Sequence, residues 1–201
     1  VSDRDGRALA RKAFVKPRGQ GGQRRHGGGI QARHDAIFSV DETQGGAVKI
    51  ADILRRELVL PDLSAGDKVG VLAEMAGETS QRLQLGVSGD FIKGALLNRE
   101  RLGSTGVGEN VAIPHAKIPG LDGLVACFGR SIAGIPFDAI DQEPVHIVFL
   151  LLVPENSAGI HLKALARISR LLKSPEFRHL LLQQASAAAI YDAFLQEDQR
   201  Q

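Results

Sequence analysis

The chain has 201 residues, 43% hydrophobic and 24% charged, with a formal net charge of +2, enough for one well-packed domain with some chain to spare. Aromatics make up 4%, Trp is absent, and the single Cys127 lies in the apolar run 124–128, which argues against base-stacking platforms and internal disulfides. No run reaches 18 apolar residues and no apolar h-region opens the chain, so the expectation is a cytoplasmic protein without membrane insertion or a secretion signal.

The charge is unevenly placed. Residues 1–47 hold nine Lys/Arg against five Asp/Glu (+4), leaving 16 against 18 (−2) for residues 48–201. Residues 19–29 are mostly Gly, Gln, Arg and His, with little to bury, and such composition favours disorder. This segment reads as a disordered extension, an expression artefact or a mis-assigned start, since no Met precedes Met75. A nucleic-acid arm would rest on composition alone, and no nucleic-acid partner is expected.

From residue 48 a compact domain is legible. Residues 49–58 read as a short amphipathic turn or helix, and Val59-Leu60 as a brief extended piece ended by Pro61. Ser64 or Asp67 can cap a helix over 68–76, with Val69, Leu72, Ala73 and Ala76 on one face. Ser88 caps a second helix over 89–101, carrying Phe91, Ile92, Ala95 and Leu96 at helical spacing, and Gly103 stops it. Extended segments follow at 110–113, 123–129, 135–137 and 145–153. The last is apolar almost throughout and predicts a central strand covered on both faces. Beyond Pro154 three helices are expected, over 159–172, 177–184 and 187–196, after Ser157, Ser174-Pro175-Glu176 and Ser186. This order predicts an α/β domain with a mixed sheet.

The chemistry-bearing stretch is Glu100 to Ala116, ERLGSTGVGENVAIPHA. A short apolar strand ends at Pro114, which lacks an N–H to extend a ladder, and presents the imidazole of His115. Upstream lies a turn, Gly103-Ser104-Thr105-Gly106-Val107-Gly108, rich in backbone N–H groups and hydroxyls. An imidazole beside oxyanion donors suits nucleophilic chemistry on a phosphoryl group. A histidine at a strand end more often serves packing, so the ring alone does not decide. The turn lacks the Gly-Lys-Ser/Thr of a P-loop and the spacing of a dinucleotide fingerprint, and no His-Glu-x-x-His or Cys-pair pattern points to a metal. No cofactor is expected. His26, His34, His146 and His179 have no motif behind them.

The stretch resembles the phosphorylation-site signature of the enzyme IIA domains of the fructose/mannitol class of the bacterial phosphotransferase system. That signature is an acid or amide, six residues, an aliphatic-Gly pair, two residues, then aliphatic-Ala-aliphatic-Pro-His-small. Here Glu100, Val107-Gly108 and Val111-Ala112-Ile113-Pro114-His115-Ala116 fill it. The likeness extends through most of residues 48–201, including Phe137-Asp138, residues 148–155 and His161, and is nearest to the nitrogen-regulatory branch.

The resemblance implies a three-layer α/β/α sandwich and a phosphoryl carrier, a phosphotransferase with a phosphohistidine intermediate. His115 would accept the phosphoryl group through Nε2 from a phosphohistidine on a small HPr-like donor. His161, in the first turn of the helix after the central strand, would help hold it, as would Arg99 at the end of the second helix. Arg101 is a weaker candidate on the same helix end. Ser104 and Thr105 could donate hydroxyls, and Glu109 matches an acidic position in some relatives. The output would be mainly regulatory, through a transporter or sensor kinase; the alternative is a fructose/mannitol-type component that passes phosphoryl to a separate IIB protein.

Overall fold

The computed structural model describes residues 48–157 and 159–200; the reading of residues 1–47 as a separate extension lies outside them. In chain order the elements are α1 (Ile50–Ile53), β1 (Leu54–Leu60), α2 (Lys68–Arg82), α3 (Gly89–Glu100), β2 (Gly106–Gly108), β3 (Val111–Ala112), β4 (His115–Ile118), β5 (Val125–Ile135), β6 (Val145–Pro154), α4 (Ile160–Leu172), α5 (Pro175–Gln183) and α6 (Ala187–Arg200). The sheet order is β1-β5-β6-β3-β2, with β4 also paired to β6. β1–β5, β3–β6 and β4–β6 are parallel, whereas β5–β6 and β2–β3 are antiparallel. The sheet is mixed, as expected.

Period-2 alternation along β6 divides the core into two layers. Ile147, Phe149, Leu151 and Val153 share one cluster with residues of α4, α5 and α6, while Val148, Leu150 and Leu152 share the other with residues of α2 and α3. The expected central strand is therefore covered on both faces, and the three-layer arrangement follows. On the α4–α6 side, Phe194 meets Phe128, Phe149 and Phe177 edge-on at ring centroid distances of 5.2–5.4 Å, the arrangement aromatic quadrupoles favour. The domain's first and last elements also meet: Asp198 in α6 accepts from the Ile50 N–H at 2.8 Å and from Arg167 Nε of α4 at 2.7 Å.

Most helix starts fall where their caps predict. Ser88 accepts from the Phe91 N–H, and Ser174 from the Phe177 N–H with Pro175 at the first turn. Asp67, not Ser64, caps α2. That helix runs to Arg82, six residues beyond the expected end, because Met75, Ala76 and Thr79 continue its buried face. Gly159, at φ +82°, precedes α4.

Three strand assignments change. Residues 54–60 form β1 rather than a helix to 58. Ile50, Ile53, Leu54 and Leu58 have helical spacing, but the register shifts between Leu54↔Ala126 and Val59↔Phe128. A bulge of exposed and half-buried residues 55–57 thus restores the phase of a buried strand. β5 absorbs the expected separate piece at 135, again across a register shift between Arg130 and Ile135. Finally, the chain does not leave the sheet at Pro114. It resumes as β4, with His115 opposite Leu151.

Cys127 is fully buried and burial pushes its thiol up to about 12. It is expected to resist a thiol reagent in the native protein and react fully in denaturant; rapid native labelling would contradict this. No helix among the described residues is long and apolar enough to cross a membrane.

Candidate functional site

Among the described residues β4 pairs only with β6, which makes it an edge of the described sheet. Ala116 and Ile118 turn into the α2–α3 core; alternation then places His115 and Lys117 on the opposite face, toward α4. His115 is half-buried and Lys117 exposed. Together with Ala95 and Arg99 of α3, Ala116, Val153 and the α4 residues His161, Leu162 and Leu165, they line a cavity of about 330 Å³. The structure thus brings His115, His161 and Arg99 into one hollow from three different elements.

Hydrogen bonds orient the His115 ring at both nitrogens. Nδ1 lies 2.9 Å from the Ile113 carbonyl oxygen, which can only accept, so Nδ1 carries the proton. Nε2 then has the lone pair, and Arg99 Nε–H donates to it at 3.1 Å. Arg99 is itself held by an Nη1–H bond to the Gly103 carbonyl at 3.0 Å, at the C-terminal end of α3. Burial is the main force lowering the His115 pKa below 6.5, aided by the positive fields of Arg99 and His161 and opposed by the Ile113 bond and by Glu100. A neutral imidazole with its lone pair on Nε2 is a nucleophile.

His161 sits in the first turn of α4, where helix dipoles favour anions. Its Nδ1 lies 3.1 Å from the Ser157 carbonyl oxygen and 3.5 Å from Ser157 Oγ. That anchors one edge of the ring and leaves the Nε2 edge for the cavity. Among the described residues no carboxylate lines the hollow. Two imidazoles, a guanidinium and the lysine beside them over an apolar floor are chemistry that suits a compact dianion. Among the described residues no group of three or more His, Cys, Asp or Glu could hold a metal.

The other expected site residues lie elsewhere. Thr105 is 4% exposed, and its hydroxyl and N–H both donate to the Glu100 carboxylate. Ser104 Oγ donates to the Phe137 carbonyl and accepts from the Gly106 N–H. The glycine-rich turn is therefore part of a small β2–β3 structure and not an anion cradle beside the ring. Gly106 is needed there because a Cβ would meet Ala139 Cα at 2.7 Å. Glu109, at φ +54° with Asn110 at +65°, forms the two-residue turn between β2 and β3, as left-handed hairpin turns require. Its carboxylate pairs with Arg178 at 2.7 Å, away from the hollow. Arg101 contacts Asn98 and is exposed. Lys117 was missed: its signal is period-2 spacing from His115, obscured by reading Pro114 as the end of the strand.

Comparison with known proteins agrees with this fold. Residues 52–197 match the family model "Phosphoenolpyruvate-dependent sugar phosphotransferase system, EIIA 2". A nitrogen regulatory protein of Bradyrhizobium diazoefficiens is 41% identical over 142 residues, covering 71% of this chain and 92% of that protein. The fructose-specific EIIABC component of Bacillus subtilis is 36% identical over 157 residues, 75% of this chain but 24% of that protein. The crystal structure of the nitrogen regulatory protein IIA-Ntr from Neisseria meningitidis superposes with a TM-score of 0.68 at 32% identity, covering 72% of this chain and 98% of that one. The chain belongs to the EIIA type 2 family of the phosphotransferase system, whose members are phosphotransfer proteins.

Proposed function

We propose that His115 is the phosphoryl acceptor, that His161 and Arg99 hold the transferred group, and that the donor is a phosphohistidine on a small HPr-like protein. The observation that carries this reading is the ring held at both nitrogens, Nδ1 on the Ile113 carbonyl and Nε2 under the Arg99 guanidinium. In the reaction the Nε2 lone pair attacks phosphorus as the N–P bond to the donor ring breaks, and the donor ring keeps that electron pair. Each ring retains one N–H throughout: His115 keeps its Nδ1 proton, and a donor protonated on its other nitrogen leaves as neutral imidazole. Arg99 Nε–H moves from the lone pair to an equatorial phosphoryl oxygen. His161 turns its Nε2 edge to the group with Nδ1 held on the Ser157 carbonyl, and Arg99 and Lys117 supply positive charge. No metal is needed, because positioning and these cations supply the charge stabilisation.

Incubation with phosphorylated donor should add one phosphoryl mass to the protein, and His115→Ala should abolish uptake; wild-type uptake by that variant would end the assignment. The pH dependence has a definite sign. Because burial depresses the His115 pKa, the nucleophile stays neutral below pH 6.5, and the acceptance rate should hold through that value before falling in acid. The same depression means the unfolded chain binds the proton first, so this group's contribution to stability is lost as pH falls from 6.5 through the folded value. A rate that halves at or above pH 6.5, with the donor kept saturating and intact, would contradict the burial argument.

The output we infer is regulatory. It rests on the 41% and 32% identity to nitrogen regulatory proteins, which this chain covers nearly end to end. A phosphoryl group adds close to two negative charges at the hollow, enough to make or break a contact with a transporter or sensor kinase. The second reading, transfer to a separate IIB protein, is favoured by the likeness to one quarter of a fructose-specific EIIABC component. Loss of the phosphoryl group to an added IIB protein would select it.

A further inference from the structure

Glu100 opens the signature but does not line the hollow. Its side chain is 7% exposed, a costly place for a carboxylate unless it is paired and hydrogen-bonded. It is both. One carboxylate takes the Thr105 N–H at 2.9 and 3.1 Å and the Thr105 hydroxyl at 2.7 Å, with Lys68 Nζ at 3.3 Å. The bonds then run on toward the ring. The Thr105 carbonyl accepts from the Ile113 N–H at 2.9 Å, and the Ile113 carbonyl accepts from His115 Nδ1–H at 2.9 Å.

The weak link in that chain is the peptide unit between Ile113 and Pro114. Proline has no N–H, so this unit has no donor of its own with which to join the ladder. Only its carbonyl is usable, and that carbonyl must point at His115. Its direction is fixed by the units on either side. On one side Ile113 N–H is tied to Thr105; on the other the Pro114 carbonyl accepts from the Leu151 N–H at 2.9 Å. The Leu151 anchor belongs to the sheet. The Thr105 anchor is a buried loop residue held by Glu100.

We propose that Glu100 is a positioning residue for His115, acting through Thr105 and Ile113 to fix the ring tautomer that leaves Nε2 as the nucleophile. Without the carboxylate, Thr105 loses its acceptor, the Ile113 carbonyl can turn, and the ring gains access to the Nε2–H form, which cannot attack. Lys68 pairs with Glu100 and is shared with Asp138 at 2.8 Å, which sets a cation beside the buried carboxylate and strengthens the bonds it accepts.

The inference rests on His115 being the acceptor, but its main test does not use a donor. In protein labelled with ¹⁵N-histidine, long-range ¹H–¹⁵N correlation reads which ring nitrogen carries the proton. Wild type is expected to show His115 as Nδ1–H, and Glu100→Ala to show a mixture with Nε2–H together with about a tenfold slower initial phosphoryl uptake. Glu100→Gln keeps an acceptor oxygen for Thr105 and is expected to stay within about threefold of wild type with the wild-type tautomer. If Glu100→Ala does not fold, Glu100→Asp replaces it, since the shorter side chain keeps its charge near Lys68 but falls short of Thr105. A folded variant of either kind whose His115 stays wholly Nδ1–H overturns the proposal, as does a wild-type ring found as Nε2–H. A failure of wild-type labelling would instead sink the acceptor assignment and leave the tautomer result standing.

Discussion

Replacing Arg99 with alanine is expected to slow phosphoryl acceptance by about 10²–10³-fold, the range found when one preorganised donor to a developing anion is lost. Two effects oppose each other. In the resting site Arg99 Nε–H covers the Nε2 lone pair at 3.1 Å, so its removal exposes the nucleophile and saves one hydrogen bond, about 1 kcal/mol. The same removal takes a fixed cation away from the charge that arrives, about 2.7–4 kcal/mol, and the second term wins. Arg99→Lys should recover little, since an ammonium cannot both hold the Gly103 carbonyl and present a planar fork. Because the guanidinium field is one cause of the lowered His115 pKa, that pKa should rise in Arg99→Ala. Single-turnover uptake from phosphorylated donor and an NMR titration of His115 check both claims; uptake within threefold of wild type would refute the first.

The largest effect on stability is expected at Arg130→Met, a loss of about 3–5 kcal/mol. Arg130 lies in β5 and is 5% exposed. Its Nε–H donates to the Pro61 carbonyl at 2.7 Å, and Nη1 to the carbonyls of Leu181, Leu182 and Gln184 at 3.2, 3.1 and 2.6 Å. The last carbonyls of a helix have no partner within it, and here a buried guanidinium closes the end of α5 and joins it to the loop after β1. Asp62 is 3.5 Å away but 75% exposed, so it contributes little to neutralisation; the carbonyl dipoles do most of it. Methionine matches much of the side-chain volume yet leaves these oxygens unsatisfied. Urea denaturation should show the loss, and the melting temperature should fall by about 6–20 °C. Phosphoryl uptake per folded molecule should not change, since Arg130 does not line the His115 hollow. A loss under about 1 kcal/mol would show that water replaces the guanidinium.

Helix positions were readable because their signals are local: Ser88, Ser174 and Pro175 act on the next three residues. The central strand was readable because residues 145–153 are apolar at nearly every position, as burial on both faces demands. Of β1 only Val59-Leu60 was readable, because the bulge before them places helical spacing over residues whose partners lie some seventy positions away. At the site, the signature and its surroundings single out His115, His161 and Arg99, and these three line one hollow. Ser104, Thr105 and Glu109 do not line it. A hydroxyl or carboxylate close in sequence to the acceptor carries no information about which way the turn faces. The turn faces α3 and Phe137 for the first two, and Arg178 for the third. Lys117 escaped notice for the complementary reason, since proline interrupts a ladder for one residue without ending the strand.

The Ile50 N–H bound to the Asp198 carboxylate at 2.8 Å brings the two termini of the described fold side by side. Closely spaced termini make a domain easy to splice into a longer polypeptide or to permute. That is the architecture suited to a part used both alone and as one section of a larger machine.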